Sequence, residues 1–267
     1  MSERMRIAVA GATGRVGRHA VDLLEADGHE VVAISRSHGV DVVTGDGLAR
    51  ALEGVEAVID AATGPSPDEA AATAFFTAAA ANLQGAGARA GVRRMVVVSI
   101  IGIDRFTAGY QAAKLAHERA HLSGPVPVRV LRAAQFHEFV QELVEWGRQG
   151  DVSHVPRMRT QLVGARAVAR ALADLATGRQ APPGPGDPIA EIAGPREERL
   201  DDVARLLVGR RGDRVRIEAV GDPGGPDAGL FEAGALLPGP HAVLTGPTFA
   251  EWLGAEVPVG RPADALR

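Results

Sequence analysis

The segment Ile7-Ala8-Val9-Ala10-Gly11-Ala12-Thr13-Gly14-Arg15-Val16-Gly17 constrains the fold more than any other. An apolar run of strand length meets three glycines at a spacing of three and three, and a helical stretch follows. Each glycine has a steric task in such a turn. Gly11 lets the chain reverse sharply, Gly14 lets the backbone approach a pyrophosphate, and Gly17 allows a helix to pack closely on the strand. The free N–H groups of the helix N-terminus then offer donors and positive potential to phosphates. In a chain with 33 glycines the triplet alone is weak, and a turn made only for packing is the alternative. Its place between strand and helix favours a dinucleotide loop.

Beyond the loop, short β-branched runs alternate with Ala/Leu-rich stretches, the pattern of stacked βαβ units. Strands are predicted near 6–10, 30–35, 41–44, 56–61, 95–99, 127–132 and 188–193, and helices near 15–27, 47–53, 68–90, 108–122, 135–149 and 165–177. The runs Val31–Ile34 and Met95–Val98 lack period-two alternation, which suits strands covered on both faces. The fold class expected is therefore α/β, a Rossmann-type doubly wound parallel sheet. From about residue 179 Pro and Gly clusters at 182–186 and 222–226 break the chain into loops. A helix near 199–209, a strand near 214–219 and a short helix near 247–253 survive. A chain of 267 residues accommodates one such unit, with a core over about 5–133 and 165–194 and a small substrate cap over about 134–164 and 195–267.

Composition narrows the function. A net charge of −4 with interspersed signs offers no broad basic surface to nucleic acid or anionic lipid. No window approaches the roughly 18 uninterrupted apolar residues of a membrane helix, and no signal-peptide pattern precedes Arg6. The absence of cysteine removes disulfides and thiolate chemistry and fits a cytoplasmic protein. Helix faces at 68–90 suit either the sheet or a second subunit, so oligomeric state is not set by the sequence.

The 29 basic residues comprise 28 arginines and one lysine, Lys114, and the one tyrosine, Tyr110, stands four positions before it. On a helix that spacing puts both side chains on one face. An ammonium near a phenol would lower the phenol's pKa towards neutrality and make it an acid–base group. The alternative is a core tyrosine and a solvated lysine. Ser99 closes the apolar strand before it, where the crevice of an open α/β sheet lies; its hydroxyl could hold a substrate carbonyl or merely cap a turn. The second strand ends Ile34-Ser35-Arg36-Ser37, with a guanidinium where an NAD-selecting chain would carry an acid. That favours NADP(H) over NAD(H), with a surface arginine as the alternative. His117 and His121 stand four apart without an evident third ligand, so they read as a solvated helix face and no metal is expected.

These motifs together resemble an atypical short-chain dehydrogenase/reductase of the NmrA-like kind, over about residues 1–200. Further points of likeness are Gly45-Asp46, Asn82-Leu83 through Ala90-Gly91-Val92, Leu131-Arg132-Ala133 through Phe136, and a fainter match at 248–253. The resemblance implies that Gly11, Thr13, Gly14, Arg15, Val16 and Gly17 hold the pyrophosphate, with Ser35, Arg36 and Ser37 beyond. It places Asp46 against the adenine, Ala61, Ala62 and Thr63 along the adenosine ribose side, and Lys114 also on the nicotinamide ribose. Gln135, Phe136, Phe139 and Trp146 follow the sixth strand and are candidate substrate contacts, with His137 among them; ordinary helix core is the alternative. Ala134 stands where many relatives carry proline. The function implied is NADPH-dependent reduction of a ketone, quinone or conjugated carbonyl compound. A redox-sensing binding protein without turnover, and an epimerase or dehydratase using bound cofactor transiently, are the alternatives.

Overall fold

The computed structural model describes residues 4–179, 189–221 and 224–256; the expected loop at 182–186, the pair 222–223 and the end of the expected cap at 257–267 lie outside them. In chain order the elements are β1 (Arg6–Ala10), α1 (Gly17–Ala26), β2 (Glu30–Ile34), α2 (Leu48–Ala51), β3 (Ala57–Asp60), α3 (Glu69–Ala90), β4 (Arg94–Ile100), α4 (Gly109–Leu122) and β5 (Val128–Ala133). There follow α5 (Phe139–Trp146), β6 (Arg148–Gln149), β7 (Val152–Pro156), β8 (Arg159–Thr160), α6 (Ala165–Thr177), β9 (Ile189–Ala193), β10 (Glu198–Arg199), α7 (Leu200–Arg211), β11 (Arg216–Val220), β12 (Val243–Leu244) and α8 (Phe249–Glu256). The chain divides into two compact units, Met1–Ala133 with Ala165–Ala190, and Ala134–Gly164 with Glu191–Arg267. Among the described residues no helix is long and apolar enough to cross a membrane.

The first unit is a doubly wound α/β fold of Rossmann type. Its strands pair in parallel in the order β5-β4-β3-β1-β2, with the start of β9 beside β5. β1 is flanked by β2 on one side and β3 on the other, so the chain reverses direction of growth there. The crevice at the carboxyl ends of such a pair is where open α/β sheets bind ligands. Helices cover both faces, α3 packing on α4 and α1 on α6. Ala8, Ala10, Val58, Leu83 and Met95 are buried in one apolar cluster beneath α3.

Two expectations for this unit are corrected. The strand at 41–44 is a turn: Asp41 Oδ1 accepts from the amides of Val43 at 2.7 Å and Thr44 at 3.3 Å. Asn82 Nδ2 donates to the carbonyls of Val42 and Val43 at 3.0 and 2.7 Å, taking the place of a neighbouring strand. β2 is not covered on both faces; it lies at the end of the strand order, and Val31, Val32 and Ala33 are only half-buried.

In the second unit, β7 pairs in parallel with β11 and antiparallel with β6, and β8 pairs with β10. Ile192 and Ala193 of β9 pair with β12. The helix expected over 135–149 is confined to Phe139–Trp146. Gly147 ends it because the backbone passes against His154, whose carbonyl oxygen would lie 1.9 Å from any Cβ there. Residues 148–153 then turn through Gly150, at φ +66°, into a β6–β7 hairpin.

Candidate functional site

The carboxyl ends of β1, β2, β3 and β4 each carry candidate site residues. After β1, Gly11 adopts φ +74°, and a Cβ on it would lie 2.6 Å from the Ala61 carbonyl oxygen at the end of β3. At Gly17 a Cβ would meet the Gly11 carbonyl oxygen at 2.1 Å. These two glycines serve the fold: they bring two strand ends and a helix together. Gly14 differs, since a Cβ there would touch only the Gly11 carbonyl oxygen, at 3.1 Å, and otherwise meets open space. Thr13 beside it is exposed, Arg15 is half-buried, and Val16 is buried under the turn. No side chain caps the start of α1, and its first turn holds no acid. An uncapped helix N-terminus beside open backbone is a fitting place for a pyrophosphate.

The end of β2 gathers Ser35, Arg36, Ser37 and His38, most of them exposed. Ser35 Oγ lies 2.8 Å from Ser37 Oγ and 2.7 Å from His38 Nδ1. Arg36 makes no ion pair among the described residues. Two hydroxyls and an imidazole around an uncommitted guanidinium suit a phosphate monoester. His38 was not anticipated from the sequence, although it adjoins the Ser-Arg-Ser run. Asp46 is exposed, with its amide donating to Thr44 Oγ1 at 3.2 Å. Ala61 is half-buried, Ala62 buried and Thr63 exposed.

Tyr110 lies in the first turn of α4, its ring edge-on to Phe76 at 5.7 Å and its hydroxyl 3.2 Å from Thr63 Oγ1. Burial pushes its pKa up, against a smaller opposing effect of the Thr63 hydrogen bond. This corrects the expectation that Lys114 lowers it. Lys114 points inward: Nζ donates to the Val98 carbonyl at 2.9 Å, lies 2.9 Å from His117 Nδ1, and sits 4.5 Å over the Phe76 ring. Burial lowers its pKa to about 8, with Asp60 and Glu118 opposing. Ser99 is 2% exposed, and its Oγ makes no hydrogen bond among the described residues. A buried hydroxyl without a partner is costly enough to suggest that a ligand completes it.

The histidines overturn the solvated-face reading. His117 and His121 are 1% and 0% exposed, and both Nε2 atoms lie 2.9 Å from Oδ2 of Asp60, itself fully buried at the end of β3. Asp60 Oδ1 accepts from the Ala62 amide at 2.9 Å, which shapes the turn through 61–63. An ionised carboxylate only accepts, so each Nε2 carries the proton and Nδ1 of His117 is left as the acceptor for Lys114. Burial lowers the His117 pKa to about 4, helped by Lys114 and opposed by Asp60. Burial would raise Asp60, but donation from His117 and His121 outweighs it and holds the carboxyl below its usual range. The three donor atoms lie within 4.8 Å of one another, as metal ligands can. At 2.9 Å, however, the nitrogen–oxygen contacts are hydrogen bonds, and their protons fill the space between.

Within the second unit, Gln135 Oε1 accepts from Thr160 Oγ1 at 2.8 Å, and Phe136 bridges to Val163. Phe139 meets Trp146 edge-on at 5.5 Å, and Trp146 is 65% exposed. His137 is core: it stacks on Trp252 at 5.3 Å, and its Nε2 lies 3.2 Å from the Pro247 carbonyl oxygen.

Comparison with known proteins supports the same fold. Residues 11–124 match the family model described as NAD(P)H-binding. The photosystem II assembly factor Ycf39 of Synechocystis sp. is 33% identical over 111 residues, which are 36% of this chain and 34% of that protein. The match thus spans about a third of the relative's length. The Bordetella bronchiseptica enzyme WbmH with NAD+ superposes with a TM-score of 0.67 at 17% identity, over 94% of this chain and 99% of that one. MoeE5 in complex with UDP-glucuronic acid and NAD gives 0.66 at 19%, over 90% and 94%. The NAD-dependent NDP-hexosamine 5,6-dehydratase TunA gives 0.62 at 18%, over 81% and 84%.

Proposed function

Taking residues 11–124 as an NAD(P)H-binding domain of the NmrA-like, atypical short-chain dehydrogenase/reductase kind, we propose that the protein is an NADPH-dependent oxidoreductase acting on a ketone, quinone or conjugated carbonyl compound. The observation that carries this reading is the Tyr110 phenol, partly buried, hydrogen-bonded to Thr63 and shifted towards its protonated form. A phenol that stays protonated at neutral pH is suited to give its proton to a developing alkoxide. The chemistry supplied by the dinucleotide when bound is hydride transfer to the carbonyl carbon. Ser99 orients the carbonyl oxygen through its uncommitted Oγ. Gly11 to Gly17 receive the pyrophosphate, Asp46 and Ala61 to Thr63 the adenosine, and Lys114 the nicotinamide ribose. Arg36, flanked by Ser35, Ser37 and His38, takes the 2′-phosphate. Gln135, Phe136, Phe139 and Trp146 are the substrate-selecting candidates of the second unit.

One observation favours a second reading, a nucleotide-sensing protein without turnover: the Lys114 ammonium is committed to Val98 and His117 rather than to the phenol. Fluorescence titration with NADPH and NADH, followed by cofactor consumption against a panel of carbonyl compounds, separates the two. Tighter NADPH binding and consumption with at least one class are expected. Tight binding without consumption would move the assignment to the sensing protein. Substrate conversion without net consumption would point to transient cofactor use.

A further inference from the structure

We propose that Asp60 and His117 are positioning residues for Lys114: the carboxylate fixes the imidazole tautomer, and the imidazole holds the ammonium against β4. The charge of the chain's one lysine is thereby governed from β3, 54 positions earlier in sequence. The inference rests on the reading above only for its consequence in turnover, since Lys114 is there the ribose ligand.

The geometry has a consistent polarity along its whole length. Lys114 Nζ can only donate, His117 Nδ1 accepts at 2.9 Å, His117 Nε2–H donates at 2.9 Å, and Asp60 Oδ2 accepts. His121 donates to the same oxygen and so removes its remaining demand for a proton. Gln84 closes the far end, donating to the His121 carbonyl at 3.2 Å and accepting from the Val126 amide at 2.9 Å. Every residue of the chain is buried, so water is not available to replace a missing link. A buried ammonium with only a carbonyl and an aromatic ring as neighbours would shed its proton. Asp60, acting through a neutral imidazole, is the counter-charge that opposes this.

Among the described residues, few charged and titratable groups lie near Lys114. Asp60 comes from β3, and Glu118, His117, His121 and Tyr110 from α4. β4 offers the Val98 carbonyl, α3 the Phe76 ring, and β5 contributes Arg132. Arg132 is already held by Glu118, at 2.9 and 2.8 Å, and by Asp104 at 2.6 Å. Glu118 is therefore largely neutralised by its own partner, which leaves Asp60 as the anion answering to Lys114.

Because the chain has a single lysine, [ε-13C]lysine labelling reports Lys114 alone. Its titration is followed by NMR in the cofactor-free protein, so the result does not depend on turnover. The wild type is expected to titrate near 8 rather than near 10.5. Asp60→Asn should lower the midpoint by about one pH unit or more, because an anion that favours the ammonium is lost. Should that variant not fold, two others decide. His117→Leu removes the acceptor that Nδ1 offers Lys114 along with the donor to Asp60, so the midpoint should fall. His121→Gln leaves the Lys114 link intact and should move it little. Equal shifts in these two variants, or an unmoved midpoint in folded Asp60→Asn, would overturn the proposal.

Discussion

At the end of β2, Ser35, Arg36, Ser37 and His38 hold one another loosely in solvent, and among the described residues no acid pairs with the cation in their midst. At the end of β3, Asp60, His117, His121 and Lys114 form a buried cluster of similar size, in which each imidazole donates to Asp60, and Lys114 donates to His117 and to the Val98 carbonyl. Solvent screens the first cluster and leaves its capacity to bind an incoming anion unspent. The second spends most of its capacity internally, leaving one N–H of Lys114 for a ligand, so its main contribution is to fix geometry and charge. A polar cluster at a strand end can thus serve mainly a ligand or mainly its neighbours, and burial with internal pairing marks the second kind.

Breaking the buried cluster should have the largest effect. Asp60→Ala strips the acceptor from two buried imidazoles and the counter-charge from Lys114, and should cost about 3–5 kcal/mol of stability. Urea denaturation followed by circular dichroism measures it; a loss below about 1 kcal/mol would mean that the cluster is loosely held. Acidification probes the same cluster more gently. His117 is kept neutral down to about 4, whereas an unfolded histidine binds its proton near 6.5. As pH falls from 6.5 towards 4 the unfolded state binds a proton that the native state refuses, so stability declines across that window. For His117 the full loss is on the order of 3 kcal/mol. His137, whose pKa burial also lowers to about 4, adds to the slope in the same direction. Thermal unfolding between pH 7 and 4.5 should show this decline, and less of it in a folded His117→Gln variant.

The exposed cluster should behave in the opposite way. Arg36→Glu is expected to leave the unfolding curve nearly unchanged while weakening NADPH binding by about 1.5–3 kcal/mol and favouring NADH. Titration of both cofactors against the variant checks this, and an unchanged preference would remove Arg36 from the phosphate site.

The difference between the clusters also explains what could be read from the sequence. The glycine loop is legible because its demands are local: a positive φ at Gly11 and close backbone approach at Gly11 and Gly17 admit no other residue. The Tyr110–Lys114 pair is legible from helical spacing. Asp60 is not, since its partners stand 57 and 61 residues away and meet it only when α4 packs on the sheet. One signal was present: Tyr110, Lys114, His117 and His121 recur at intervals of four, three and four, a single helix face. If the first two of these residues turn towards the sheet, the histidines must be buried with them. The mistaken strand at 41–44 has a different cause, because Asp41 offers the following amides a side-chain acceptor and a turn forms instead.

The central claim, that Tyr110 is the acid of a reductase, is tested most directly by kcat for NADPH-dependent carbonyl reduction in the wild type and in Tyr110→Phe. The variant loses one hydroxyl, whose partner in the structure is the exposed Thr63. NADPH affinity and the unfolding curve should therefore be retained while kcat falls by about 10²–10⁴. A Tyr110→Phe protein that turns over as fast as the wild type would contradict the mechanism.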